Sequence, residues 1–388
     1  MKRKKILLVA NTASMIYEFN LHNIAILQSL GAEVHVATNF VNPGPIDNKV
    51  DLKLKKILKK KGVMYHQVDF MKGIGNHKLN VKAMKQLCQL CDKFNFDGIH
   101  AQSPLGGIIA RRVAHRKKVH ILYTAHGFQF FKGGPFLDWL IFFPVEWFYG
   151  LWTDALVTIN TDDYKASHYL PIKKRYYIPG VGIDNVSFLS KEREQTRQTW
   201  RKRLSVNADD FLMISVGELS DRKNHETVLK ALNIINNPKV KYAIAGIGKN
   251  KNKLVALIAK YHLEKQVQLL GYVDDLNGLY YASDLNVFVS TREGLGLGGL
   301  DGVIRGLYII GTQSTGMKDY IDNDKIGLLI KNPKDPQELA DKIKTVINKK
   351  PRIPNEESTR IMKKFGHKNV DKRMRDIYYQ EFFLKLEK

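Results

Sequence analysis

Ser290-Thr291-Arg292-Glu293-Gly294-Leu295-Gly296-Leu297-Gly298-Gly299-Leu300-Asp301-Gly302-Val303-Ile304-Arg305-Gly306 follows the apolar run Leu285-Asn286-Val287-Phe288-Val289 and leads into a helical pattern. The order is buried strand, glycine-rich turn, helix start. Glycines let a backbone approach a ligand closely, and unpaired N–H groups at a helix N-terminus favour an anion. Glu293 and Asp301 bracket the turn, placed to accept hydrogen bonds from the hydroxyls of a sugar or ribose. The same glycines also suit plain strand–helix packing, so the stretch alone leaves both readings open.

Outward from this stretch, strand-like and helix-like runs alternate. Phe211–Gly217, Tyr242–Gly248, Val267–Val273, Tyr308–Thr312 and Gly327–Ile330 accompany it in the second half. Ile6–Ala10, Val34–Thr38, Gly98–Ala101, His120–Tyr123 and Ala155–Ile159 form a like series in the first half, with a helical pattern over Asn20–Leu30. Short continuous apolar runs are those of parallel strands covered on both faces, and repeated β-α units imply doubly wound sheets with ligands at the strands' carboxyl ends. Two such series in 388 residues imply an α/β chain of two domains. Tyr177-Ile178-Pro179-Gly180-Val181-Gly182-Ile183-Asp184 closes the first series, and Lys191–Arg203 reads as a linker or an opening helix. The expected boundaries are 1–190 and 191–365, with a basic C-terminal helix over 366–388.

Hydrophobic residues make up 44% and charged residues 26%, and the formal charge is +24, so an anionic partner is implied. Cys88 and Cys91 sit in a helical run without a second ligand pair, which suits helix packing rather than zinc. Met1–Lys5 followed by Ile6–Ala10 is too short an apolar run for a signal peptide, and no run approaches the ~20 residues of a membrane span. A cytoplasmic protein, peripheral on the inner membrane face, is expected. Lys49–Lys61 is either a solvated basic helix or a membrane-surface one. Phe136–Trp152 is either a buried helix or an interfacial anchor rich in Trp and Phe.

Several polar groups lie where strands end. Arg222 and Lys223 follow the Phe211–Gly217 strand and precede a helix, a placement that suits a diphosphate. His126 follows the His120–Tyr123 strand, and Gly106-Gly107 follows Gly98–Ala101. Asn11–Met15, with Thr12 and Ser14, lacks a Gly-x-Gly-x-x-Gly fingerprint, so a dinucleotide site there is not expected. Asp322-Asn323-Asp324 reads as turn chemistry rather than a metal motif.

Along almost its whole length the chain resembles the retaining family 4 glycosyltransferases. Glu293 and Asp301 stand as their Glu-x7-Glu motif, with Asp in place of the second Glu. The resemblance implies the GT-B fold, two Rossmann-like domains facing across a cleft, with the C-terminal helix packing back on the first. It also implies a nucleotide-sugar donor, by family habit UDP-linked, on the second domain. The acceptor side falls to the first, at Thr12, Ser14, Gly106 and Gly107. Gly106-Gly107 and Phe130-Phe131-Lys132-Gly133 are similar to members that build bacterial surface polysaccharides, which implies a lipid-linked acceptor at the membrane. His126 matches the histidine beside the donor sugar's reactive carbon and Lys223 the phosphate-binding lysine. Glu218 stands where an arginine is frequent, so Arg222 is expected to share that work. Glu293 would hold sugar hydroxyls, Asp301 the ribose, Tyr272 and Val273 the base, and the N–H groups near Gly296, Leu297 and Gly298 the diphosphate. No cofactor and no metal for donor binding is implied. Asp301 is one methylene short of the usual Glu, and Gly302 and Tyr308 stand where Ala and Pro are common. A non-catalytic paralogue therefore stays open, as do a basic nucleic-acid-binding protein and a nucleotide-sugar epimerase; nucleic acid is not the expected partner.

Overall fold

The apolar runs pair into two sheets, both parallel throughout. In the computed structural model residues 3–44, 49–71, 76–102, 104–131, 133–184, 190–313 and 316–384 are described. One unit comprises Met1–Gly182 with His367–Lys388, the other Ile183–Gly366. The second unit thus begins at Ile183, eight residues before the expected boundary, and the C-terminal segment is part of the first.

In the first unit the elements run β1 (Lys5–Val9), α1 (Ala13–Phe19), α2 (Leu21–Ser29), β2 (Glu33–Thr38), α3 (Val50–Lys60), β3 (Met64–Gln67), α4 (His77–Phe94) and β4 (Gly98–Gln102). They continue α5 (Pro104–Lys117), β5 (His120–Ala125), α6 (Phe136–Gly150), β6 (Ala155–Thr158), α7 (Thr161–Ala166) and β7 (Lys174–Tyr177). The sheet order is β3-β2-β1-β4-β5-β6-β7. In register Ile6 faces Gly98, and Gln102 faces Thr124. The carboxyl ends of β1, β4 and β5 therefore bring Asn11, Gln102 and His126 to one edge. The core between this sheet and its helices is built from Leu7, Val9, Ile99, Ala101, Ile121, Tyr123 and Leu156.

The second unit runs α8 (Ser190–Arg203), β8 (Phe211–Val216), α9 (His225–Ile235), β9 (Val240–Ala245), α10 (Lys251–Lys260), β10 (Val267–Gly271), α11 (Leu276–Ala282) and β11 (Leu285–Phe288). Then follow α12 (Leu297–Ile304), β12 (Ile309–Thr312), β13 (Gly327–Ile330), α13 (Pro336–Lys349) and α14 (Asn355–Phe365). Its sheet order is β10-β9-β8-β11-β12-β13. The order reverses between β8 and β11, and such a switch point is where open α/β sheets bind ligands. Lys191–Arg203 is helix, not linker: Trp200 and Leu204 pack on Leu279, Tyr280 and Ala282 of α11.

α15 (His367–Tyr378) and a π-turn over Tyr379–Phe383 return to the first unit. Phe382 fills the space above Gly98, where a Cβ would come within 2.5 Å of its ring. Glu381 is buried and accepts hydrogen bonds from Lys174 Nζ at 3.0 Å and from the Tyr176 hydroxyl at 2.5 Å, and pairs with His120 at 3.0 Å.

The two segments with two readings differ in what they bury. In α3, Leu54 and Leu58 face the core while Leu52 is exposed with Lys53, Lys56, Lys59 and Lys60. α6 is the reverse of a buried helix. Glu146 and Gly150 are its buried residues, while Phe136, Leu137, Leu140, Ile141, Trp147 and Phe148 face out. Its anchor is polar: Arg111 of α5, fully buried, donates to Glu146 at 2.8 Å and stacks over the Tyr123 ring at 4.2 Å. No helix of the described residues is long and apolar enough to cross a membrane.

Candidate active site

In the second unit the glycine-rich turn sits at the switch point. Gly296 takes φ +82° and caps α12, a conformation cheap only for glycine. Gly299 and Leu300 donate back to the Gly296 carbonyl, while the amides of Leu297 and Gly298 have no hydrogen-bond partner among the described residues. The glycines meet close packing. A Cβ at Gly298 would lie 2.5 Å from the Val216 carbonyl oxygen, and one at Gly299 2.4 Å from the Tyr320 hydroxyl. The turn is glycine because α12 is pressed onto β8 and β11, and its first amides are free because a helix start has no preceding turn to pair them. Tyr280 and Asn286 donate to the Gly298 carbonyl at 2.7 and 3.0 Å and fix this turn.

Lys223 and Arg222 converge on Glu293. Lys223 Nζ lies 2.8 Å and Arg222 Nη1 2.6 Å from the same Oε1, and Arg222 also donates to the Arg292 carbonyl. Lys223 Nζ stands 4.3 Å over the Phe288 ring, and atoms of that ring lie 3.0–3.1 Å from where Cβ atoms of Gly296 and Gly298 would be. Phe288 is thus wedged between the ammonium and the first turn of α12. Burial pushes the Lys223 pKa down although Glu293 opposes it. For Glu293, burial pulls upward, but Lys223 and Arg222 prevail and hold it below the usual range. Two cations facing one carboxylate leave a net positive charge beside two free amides, an arrangement that suits a diphosphate.

Asp301 lies on the next turn of α12, held by Arg305 at 3.2 Å, and burial raises its pKa. Gly302 stands where a Cβ would meet Asn286 Nδ2 at 2.5 Å. The Tyr308 hydroxyl donates to the Asp324 carbonyl at 2.7 Å. Both departures thus have local packing partners. Tyr272, after β10, is exposed, and Val273 packs against the core around Trp200. Asp322 is paired with Arg360 at 2.6 Å and Asn323 accepts from the Lys325 amide, which is ion-pair and turn chemistry.

In the first unit His126 pairs through Nε2 with Gln102 Oε1 at 2.5 Å, and burial takes its pKa down to about 4. Phe19 packs beside the ring. The expected acceptor loop is shorter than read, because α1 starts at Ala13. Thr12 and Ser14 hydroxyls bond each other at 3.0 Å, and Ser14 is buried under Gly44, where a Cβ would clash with Ser14 Oγ. Gly106 and Gly107 are not in a strand-end loop but buried inside α5, where a Cβ on Gly107 would lie 2.5 Å from the Tyr123 ring. A cavity of about 420 Å³ lies against α5 and α6, lined by Leu105, Ile108, Phe128, Ile141, Phe142 and Val145 with Glu146 at one wall. Sequence reasoning passed over Gln102 and Phe288. The signal for Gln102 was its two-residue spacing from His100, which puts both side chains on one face of β4.

The description "Glycosyl transferases group 1" matches residues 196–368, and "Glycosyl transferase 4-like" matches 5–147. The chain is a GT-B glycosyltransferase. It is 29% identical to the putative glycosyltransferase EpsD of Bacillus subtilis over 97% of this chain and 96% of that one. It is 28% identical to an Escherichia coli UDP-Gal:alpha-D-GlcNAc-diphosphoundecaprenol alpha-1,3-galactosyltransferase, over 74% and 73%. Anabaena HepE in complex with UDP and glucose superimposes with a TM-score of 0.75 at 16% identity, covering 97% and 99%. That similarity speaks to the GT-B glycosyltransferase fold of the chain.

Proposed function

We propose that this glycosyltransferase moves one sugar from a UDP-linked donor, with retained anomeric configuration, to a lipid-diphosphate-linked oligosaccharide during exopolysaccharide or capsule assembly. The observation that carries the reading is the convergence of Lys223, Arg222 and the free amides of Leu297 and Gly298 around Phe288. Transfer breaks the bond between the anomeric carbon and the diphosphate oxygen. The acceptor hydroxyl oxygen bonds that carbon, and its proton leaves with the diphosphate. Charge therefore grows on the leaving diphosphate, and those groups meet it without metal; losing one such group typically raises a barrier by about 3 kcal/mol. Glu293 holds donor-sugar hydroxyls, Asp301 the ribose, backbone at Tyr272 and Val273 the base, and His126 orients the sugar.

The outward apolar face of α6 and the adjoining cavity support a lipid-borne acceptor and peripheral attachment to the inner membrane face. The +24 charge suits anionic lipid. The test is transfer of label from a panel of UDP-sugars to lipid-linked acceptors in membranes, with Lys223→Ala and Arg222→Ala alongside. Label entering the lipid fraction with wild type, lost with Lys223→Ala and reduced with Arg222→Ala, is the expected result. No transfer and no UDP binding across the panel overturns the reading in favour of a non-catalytic paralogue.

A further inference from the structure

We propose that Gln102, His100 and Tyr378 are positioning residues that fix His126 with its proton on Nε2, so that the Nδ1 lone pair is the atom it offers to a ligand. The orientation of the Gln102 amide sets the polarity of the chain of contacts. An amide oxygen has no proton, so His126 Nε2–H donates to Gln102 Oε1 across 2.5 Å. Gln102 Nε2–H in turn donates to His100 Nε2 at 2.9 Å, and the Thr124 hydroxyl lies 2.8 Å from that same nitrogen. His100 then carries its proton on Nδ1, which donates to the Tyr378 hydroxyl at 2.7 Å. Gln102, His100, Thr124 and Tyr378 are all buried, away from bulk solvent. Burial, aided by His126, takes the His100 pKa to about 3, and burial alone takes that of His126 to about 4. Both rings are neutral at neutral pH, which the polarity requires.

Nδ1 of His126 has no hydrogen-bond partner among the described residues. A neutral imidazole nitrogen in this state accepts. The ligand group that meets it is therefore a hydroxyl or an amide N–H, and a carboxylate, as in a uronic acid, is disfavoured there. That this group belongs to a sugar rests on the glycosyltransferase reading; the tautomer and its wiring do not. Tyr378 comes from α15, so the C-terminal segment is part of the site's support rather than a strap over the sheet.

Turning the Gln102 amide over reverses every donor in the chain and moves the His126 proton to Nδ1. Long-range proton–nitrogen NMR of the full chain labelled with [15N]histidine, without ligand, separates the two; His126→Gln assigns the signal. The expected spectrum is a neutral ring protonated at Nε2 from about pH 8 down to about pH 5. Tyr378→Phe keeps the ring and removes the hydroxyl; it is expected to mix the tautomers and to lower kcat for UDP release from UDP-glucose, UDP-galactose or UDP-N-acetylglucosamine while KM stays. Gln102→Glu is expected to raise the His126 midpoint by at least about one pH unit, because a carboxylate then faces Nε2. A proton on Nδ1 in wild type, a tautomer unmoved by Tyr378→Phe, or a midpoint unmoved by Gln102→Glu overturns the proposal. If wild type releases UDP from none of the donors, the functional reading fails while the spectra still decide the wiring.

Discussion

Replacing Glu293 by Gln tests the ion triad of the second unit. Lys223 and Arg222 share Glu293 Oε1, with Lys223 nearly buried and Arg222 about a third exposed. Arg222 relaxes into solvent when its partner is neutralised, but Lys223, held over Phe288, does not. Removing one partner of a buried pair costs about 3–5 kcal/mol, because it strands a charge. With one of the two cations free to relax, about 3 kcal/mol is expected. For a domain of this size that lowers the melting temperature by roughly 6–12 °C. A diphosphate supplies the missing charge, so UDP should raise the melting temperature of Glu293→Gln by more degrees than it raises that of wild type. Thermal unfolding with and without saturating UDP, and with pyrophosphate as a second anion, reads both numbers. An unchanged melting temperature, or a UDP shift no larger than in wild type, refutes the triad as the diphosphate cradle.

Glu381 gives a pH signature. Burial disfavours its ionisation, yet His120, Tyr176 and Lys174 outweigh that and hold its pKa at about 2. The stabilisation is fully present above the ordinary glutamate value and is lost as pH falls from there through about 2. Glu381→Gln should cost about 3 kcal/mol at pH 7, and urea unfolding should show the gap to wild type closing below about pH 4. Gly302→Ala restores the family's residue but puts a Cβ 2.5 Å from Asn286 Nδ2, so it should cost about 1–3 kcal/mol. Adding Asn286→Ser should recover part of that loss in a double-mutant cycle of melting temperatures. Leu140→Glu with Phe136→Glu on the outward face of α6 should leave the melting temperature within about 1 °C, while cutting co-flotation with anionic vesicles. Full flotation of the double variant counts against α6 as the attachment face.

The two sheets were legible because their strands are short, mostly apolar runs, Ile6–Ala10 and Phe211–Val216 among them. β3 was not, because Met64–Gln67 is an edge strand with mostly exposed residues and no apolar signal. α1 hid because it is short and starts directly after a strand, where a loop is the simpler reading. Arg222 and Lys223 could be read from their place at a strand end, but their meeting on one oxygen of Glu293, seventy residues on, is a product of the β8–β11 pairing. Gly107 looked like a loop residue since a glycine pair after a strand is ambiguous; only the Tyr123 ring against it shows that it is there for packing. α6 misled in the opposite sense: its hydropathy is that of a core helix, but it packs through Trp139, Phe142 and Phe143 together with a buried ion pair, Arg111–Glu146, which hydropathy does not register.

The first unit is written in the gene in two pieces, with the whole of the second unit between them. Its sheet is synthesised before the second unit, but Tyr378, Glu381 and Phe382, which pair with His100, pair with Lys174 and seat over Gly98, are translated only after the whole of that unit. Since domains generally fold as synthesis proceeds, the second unit can complete its core while the first still waits for α15. A premature stop shortly before α15 would therefore spare the second unit and leave the first open at His100. Such a product is expected to bind UDP, expose apolar sheet surface to chaperones and proteases, and transfer nothing.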